Sequence, residues 1–147
     1  MVTDSQVFAE VYPRAAANRL TVLGAVHAIK GMWTPLQRGC GHRPAAGTDR
    51  VLIAEACTTN RSTAILRASA AAAAAPKAGG GLAVDGQRGG LSKDLSPYAL
   101  VIHCGSCMFN RKYLLSRLAR AREAGVPMTN YGMAIAKLTG ILEKIDY

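Results

Sequence analysis

Two short apolar runs, each leading into a cysteine, restrict the folds open to this sequence. The run "DRVLIAEAC" predicts a buried strand from Val51 to Ala54 whose C-terminal end delivers Cys57. The run "SPYALVIHC" predicts a second strand, from Leu100 to Ile102, that delivers His103 and Cys104. Both cysteine sites are therefore expected at the ends of strands.

The last third of the sequence carries clear helix signals. Asn110 is the predicted N-cap of a helix that runs through Ala124 and is ended by Gly125 at the C′ position. The stretch "VPMTNYG" predicts a short strand and a turn, and a second helix follows. We expect the first helix to bury Leu114, Leu115, Leu118 and Ala119, and the second to bury Met133, Ile135, Leu138, Ile141 and Leu142.

Strand, helix, strand and helix in this order predict an α/β fold with a mostly parallel sheet flanked by helices. Ligand sites in such sheets form beyond the carboxyl ends of the strands, where this interpretation places the thiols. With 147 residues, half of them apolar, the chain is long enough for one domain, and we predict a single domain over residues 1–147.

The segment 68–92 is atypical of that domain. It is dominated by Ala and Gly, with six consecutive alanines and no useful periodicity, which is typical of a flexible linker. A linker of this length inside a compact domain is uncommon, which counts against that interpretation.

The compartment decides how the cysteines are interpreted. The sequence has no apolar run long enough to cross a bilayer, and "MVTDSQVFAE" lacks the layout of a signal peptide, so we predict a cytoplasmic protein with no membrane partner. Thiols stay reduced in the cytoplasm. The four cysteines, Cys40, Cys57, Cys104 and Cys107, are therefore interpreted as metal ligands or redox groups and not as disulfides.

The formal net charge of +9 raises the question of a nucleic-acid partner. Residues 24–48 and 58–92, both atypical in composition, contribute three net charges each. The main basic cluster elsewhere, "RKYLLSRLARAR", has the spacing of a solvated helix face and not of a basic stripe with stacking aromatics. Nucleic acid is not an expected partner.

Cys104 and Cys107 form a Cys-x-x-Cys pair, whose two sulfurs can bind one metal centre. Cys57 could join them from the end of the neighbouring predicted strand, despite the 46 residues between Cys57 and Cys104. The residues alone leave three interpretations open at equal weight: an iron-sulfur cluster with one open iron, a structural zinc site, and a dithiol redox pair.

Several neighbouring residues are less specific. His103 is a candidate fourth ligand, or else a hydrogen-bonded group behind the ligands, which is the commoner role for a histidine at a strand end. Glu55 could orient a ligand or simply end a strand, and Cys40 has no partner at ligand spacing. The helix that opens near Asn110 would point its N-terminal amides toward the cysteines, which suits an anionic group.

The stretches "VTDSQVF", "DRVLIAEACT" and the continuous run from Asp94 to Leu142 resemble the C-terminal cluster-binding domain of HydF, the GTPase that helps mature [FeFe]-hydrogenase. This resemblance implies a [4Fe-4S] cluster held by Cys57, Cys104 and Cys107 with an exchangeable fourth site. It also implies a scaffold that receives a di-iron precursor and passes it to the apo-hydrogenase, with other maturation proteins and a homodimer as expected partners. His103 would belong to the His-Cys-x-x-Cys signature of the family.

The sequence departs from the family in two ways. It contains no G-x-x-x-x-G-K-[ST] phosphate loop, so nucleotide hydrolysis is not predicted and the chain is expected to be a scaffold and not an enzyme. In addition, Thr59 stands where the Cys-x-His motif of the family has its histidine. We hypothesise that one base was lost near codon 58, because reading "CTTN" one base out of frame restores that histidine.

Overall fold

The protein is described by a computed structural model that covers residues 2–3, 7–15, 19–22, 50–55, 83–88, 90–104 and 109–145. Within these ranges the strands are β1 (Val2–Thr3), β2 (Thr21–Val22), β3 (Arg50–Glu55), β4 (Ala83–Arg88), β5 (Leu100–His103) and β6 (Met128–Asn130). The helices are α1 (Phe8–Val11), α2 (Arg111–Glu123) and α3 (Tyr131–Leu138), with short 3-10 turns at Tyr12–Arg14 and Leu142–Lys144.

The main sheet has four strands in the order β4-β3-β5-β6, and every neighbouring pair is parallel. A separate two-stranded parallel sheet joins β1 to β2. The predicted α/β fold with a mostly parallel sheet is confirmed. Each of the three sequence-predicted strands forms, as β3, β5 and β6.

The linker interpretation of segment 68–92 is wrong for the residues that form β4. This strand pairs with β3 along six residues, from Arg50 opposite Ala83 to Glu55 opposite Arg88. Because β4 lies at the edge of the sheet, it needs backbone partners on one side only, and these do not depend on the side-chain pattern. An ion pair between Arg50 Nη2 and Asp85 Oδ2, 2.6 Å long, also joins the two strands.

Alternating side chains of the sheet pack against different helices. One face, with Leu52, Ala54 and Val101, packs on α2, while the other, with Val51, Ile53 and Ile102, packs on α3. A third apolar cluster joins the N-terminal segment to the end of the chain through Phe8, Ala15, Leu20, Met133, Ala136, Ile141, Leu142 and Ile145. No helix in the described ranges is long and apolar enough to cross a bilayer.

Helix α2 begins and ends where the sequence predicts, but its inward face is rotated. The side chain of Asn110 accepts a hydrogen bond from the Tyr113 amide, and Gly125 follows the C-cap with a φ of 67°. Leu114 and Leu118 are buried as expected, whereas Leu115 and Ala119 are exposed. Arg117 and Ala121 take their places, because residues three, four and seven positions after Leu114 share one helix face.

The last predicted helix is shorter than expected. Helix α3 ends at Leu138, and Gly140, with a φ of 72°, turns the chain into the 3-10 turn. Met133, Ile141 and Leu142 are nevertheless buried and Ile135 is half-buried, while the side chain of Leu138 lies outside the described residues. A glycine in the left-handed region ends a helix even where the apolar spacing would allow it to continue.

Replacing Gly125 or Gly140 with Ala is expected to lower the free energy of unfolding by about 1 kcal/mol each. A Cβ at either position would meet nothing within 4 Å, so the cost comes from the positive φ and not from a clash. Gly90→Ala is the matched control, since its Cβ also enters open space and its φ is not positive. Urea unfolding of the three variants would contradict this account if all three lost the same stability.

Candidate functional site

The carboxyl ends of three parallel strands meet at one edge of the sheet. The register places Ala54 of β3 opposite His103 of β5, and His103 opposite Asn130 of β6. The backbone amide of Cys104 continues this pairing by donating to the carbonyl oxygen of Ala54 at 3.1 Å. Three residues therefore stand side by side at the ends of β3, β5 and β6, namely Glu55, Cys104 and Tyr131.

Cys104 belongs to the face of the sheet that packs on α3. It is only 7% exposed and packs in one apolar cluster with Ile53, Ile102 and Tyr131. Its thiol is not part of a disulfide. Glu55, at the end of β3, is also buried.

Tyr131 is the first residue of α3 and belongs to the same buried cluster as Cys104. Burial raises the pKa of Tyr131 above its ordinary value, and the charges of Glu55 and Cys104 raise it further. The hydroxyl is therefore a proton donor throughout the physiological range. It is also buried without a hydrogen-bond partner in the part of the chain that the structure describes.

His103 faces the opposite side of the sheet and is fully buried. Its Nδ1 lies 2.6 Å from the carbonyl oxygen of Cys104, and its Nε2 lies 2.7 Å from Nη1 of Arg117. A carbonyl can only accept and a guanidinium can only donate, so Nδ1 carries the proton and Nε2 accepts. The ring is therefore neutral and bonded at both nitrogens.

Burial lowers the pKa of His103 from 6.5 to about 4. The hydrogen bond to the Cys104 carbonyl opposes this shift, while the positive charge of Arg117 adds to it. The neutral form of His103 is thus favoured over the whole neutral pH range.

Arg117 links this histidine to helix α2. It is 2% exposed, and besides His103 it donates from Nη2 to the hydroxyl of Tyr113 at 2.6 Å. Its guanidinium lies 4.6 Å from the centre of the Tyr113 ring, and Tyr113 stacks on Phe109. A chain of polar contacts therefore runs from α2 through Arg117 and His103 to the backbone of Cys104.

The structure places some of the sequence-predicted site residues and not others. Cys104 and His103 lie at the carboxyl end of β5, as expected, whereas Cys40, Cys57 and Cys107 lie outside the described residues. Within the described ranges no three His, Cys, Asp or Glu side chains come together as a metal-binding group. His103 as a fourth ligand stays a prediction, and it would require one of the two bonds of its ring to break.

Two residues of the site were missed by the sequence analysis. Arg117 lies three positions after Leu114 on the buried face of α2, and a basic residue on an apolar stripe is a usable signal for a buried polar contact. Tyr131 directly follows the third strand that ends at this edge, so the strand-end rule that identified the cysteines applies to it as well.

Comparisons with known proteins complete the description of the chain. The family model described as "Hydrogen maturase F tetramerization domain" matches residues 44–145, which is more than half of the chain. A comparison with curated proteins gave no match.

Proposed function

Because the chain belongs to the family of the hydrogen maturase F tetramerization domain, we propose that it is a [4Fe-4S] scaffold that holds a di-iron precursor and transfers it to apo-[FeFe]-hydrogenase. Membership confirms a HydF-related domain and implies a part in hydrogenase maturation, whereas the narrower prediction of the cluster-binding domain of HydF belongs to the proposal. The cluster, its ligands and the transfer step are the proposal, and the ligands would be Cys57, Cys104 and Cys107.

The observation that carries the proposal is the hydrogen bond between the Cys104 amide and the Ala54 carbonyl. It fixes the first cysteine of the Cys-x-x-Cys pair against the end of the strand that leads to Cys57. Cys57 follows Ala54 by three residues, and Cys107 follows Cys104 by three, so each can lie at most about 11 Å along the chain from this bond. The lengths of these two chain segments therefore allow the three thiols to meet at this end of the sheet, as the proposal requires.

The residues at the carboxyl ends of these strands suit an iron-sulfur cluster. Thiolates are the ligands that iron-sulfur clusters use, and three of them leave one iron free to bind an exogenous group. Helix α2 begins four residues after Cys107, so its N-terminal amides favour negative charge near the pair. The Tyr131 hydroxyl, buried without a partner in the described part of the chain, suits a site that receives an acceptor.

The two alternative interpretations fit less well. A zinc site of three cysteines and His103 would have to break a hydrogen bond of a fully buried ring, to Arg117 or to the Cys104 carbonyl. A dithiol oxidoreductase needs a thiol that its substrate can reach, and Cys104 is largely buried. Both alternatives stay testable in the experiment below.

The proposed partners follow from the family. A tetramerization domain implies self-association, and we propose an assembly of several copies of the chain, of which a homodimer would be the smallest. The proposed recipient of the di-iron cargo is the apo-hydrogenase in the cytoplasm, with other maturation proteins as suppliers. The proposed role is one of binding and transfer, without nucleotide hydrolysis by this chain.

Anaerobic reconstitution of the full chain with ferrous iron and sulfide tests the proposal. We expect a brown protein with about four iron atoms and four sulfides per chain and a reducible cluster visible by electron paramagnetic resonance. Transfer is tested by adding chain loaded with the di-iron precursor to apo-hydrogenase and measuring hydrogen evolution. A colourless protein that binds one zinc ion, or one that only forms a reversible Cys104-Cys107 disulfide, would overturn the proposal.

A further inference from the structure

Tyr131 presents a buried hydroxyl at the proposed site. The residue is 9% exposed, and its hydroxyl oxygen is buried without a hydrogen-bond partner among the described residues. Burying a hydroxyl in this way costs free energy, and native structures rarely leave such a group unpaired without a reason. The hydroxyl therefore points to an acceptor other than the described residues.

The surroundings of Tyr131 indicate where that acceptor would lie. Tyr131 packs in the same cluster as Cys104, and the charges of both Cys104 and Glu55 act on its hydroxyl. The three residues stand at the ends of neighbouring strands on the face of the sheet that packs on α3. The His103 and Arg117 contacts belong to the opposite face. On the thiol side, the hydroxyls of Tyr131 and Thr129 are both buried without a partner among the described residues. Thr129 lies opposite Ile102, two residues before Cys104, whereas Tyr131 stands at the strand end beside Cys104.

We propose that the Tyr131 hydroxyl donates a hydrogen bond to a sulfur of the cluster held at Cys104, either the Cys104 thiolate or a bridging sulfide next to it. This inference rests on the proposed function and adds a residue that controls the cluster. A donor to sulfur withdraws electron density and stabilises the reduced cluster, which raises its reduction potential.

The Tyr131 hydroxyl is expected to stabilise the cluster in the loaded protein but to destabilise the fold of the metal-free protein. Without the cluster, the hydroxyl of Tyr131 has no acceptor in the described part of the chain, so it destabilises the fold. Tyr131→Phe removes only this oxygen and keeps the ring in the apolar cluster that includes Ile53 and Ala134. The variant should therefore melt at or above the temperature of the wild-type protein when metal is absent.

The test compares the wild-type chain with Tyr131→Phe, after anaerobic reconstitution and without metal. We expect the variant to bind the same amount of iron, to have a more negative reduction potential, and to lose the cluster several times faster to a chelator. Pulsed electron-nuclear spectroscopy in deuterated buffer should detect an exchangeable deuteron near the reduced cluster in the wild-type protein and lose that signal in the variant. Tyr98→Phe is the matched control, since Tyr98 lies before the amino end of β5, at the end of the sheet away from Cys104.

The outcomes separate this inference from the proposed function. A loaded Tyr131→Phe protein with an unchanged potential and the same deuteron signal would overturn the inference alone. A wild-type protein that takes up no iron would overturn the proposed function and, with it, this inference. A metal-free variant that melts well below the wild-type protein would show that the hydroxyl has a structural partner, and this also contradicts the inference.

Discussion

Cys104→Ser is expected to reduce the iron bound after anaerobic reconstitution from about four atoms per chain to less than about one. A serine hydroxyl stays protonated at neutral pH and is a poor ligand for iron in a cluster, so one of the three proposed anchors is lost. The fold should survive, because Ser is close in size to Cys and the added cost of burying its hydroxyl is about 1–2 kcal/mol. Iron and sulfide analysis, together with the electron paramagnetic resonance spectrum, measures the effect.

Cys57→Ser and Cys107→Ser should produce the same loss, whereas Cys40→Ser is the matched control and should bind iron like the wild-type chain. This control separates the ligand set from a general effect of removing a thiol. Full iron binding by Cys104→Ser would contradict the ligand assignment. Loss of iron in Cys40→Ser would show that the ligand set has been chosen wrongly.

The second large effect is a loss of stability in acid. The pKa of His103 in the folded protein is about 4, below its ordinary value of 6.5. Below pH 6.5 the unfolded chain therefore binds a proton that the folded chain excludes. We expect the metal-free protein to lose about 3 kcal/mol of unfolding free energy between pH 7 and pH 4 from this residue, with little further loss from it at lower pH.

Urea unfolding at several pH values, with and without His103→Gln, measures this contribution. The glutamine side chain can donate and accept hydrogen bonds but does not titrate, so the variant should be less stable at pH 7 and lose less stability on acidification. His42→Gln is the control for the general effect of replacing a histidine. An identical pH dependence in wild type and His103→Gln would contradict the conclusion that the His103 ring is neutral and hydrogen-bonded at both nitrogens.

Local patterns in the sequence predicted much of this fold. The apolar runs before the cysteines became β3 and β5, and the Asn110 cap and Gly125 stop bound α2 as expected. These signals act within a few residues of the chain. Gly140 is a signal of the same local kind, and it ends α3 although the apolar spacing of Ile141 and Leu142 predicted a longer helix.

The features that were missed depend on distant partners. Strand β4 forms because its backbone pairs with β3, and its sequence lacks the alternation of apolar and polar residues that would predict a strand. Arg117 is buried because His103 and Tyr113 accept its hydrogen bonds, and neither acceptor can be inferred from the helix alone. The expectation of an iron-sulfur cluster came from the family resemblance, since the residues alone left three kinds of thiol chemistry open.

The pairing of β3 with β5 has a consequence for the order of events during folding. It joins Ala54 to His103 across 49 positions, whereas the Cys-x-x-Cys pair is a local feature of the chain. Closing so long a loop costs conformational entropy before the contacts between the strands can stabilise it, so this pairing is expected to form late. Two thiols would then be ready to capture metal before the third arrives. Until β3 pairs with β5, the two thiols of the Cys-x-x-Cys pair would bind a single metal ion as readily as a cluster. The full three-thiol site would form only with the completed sheet.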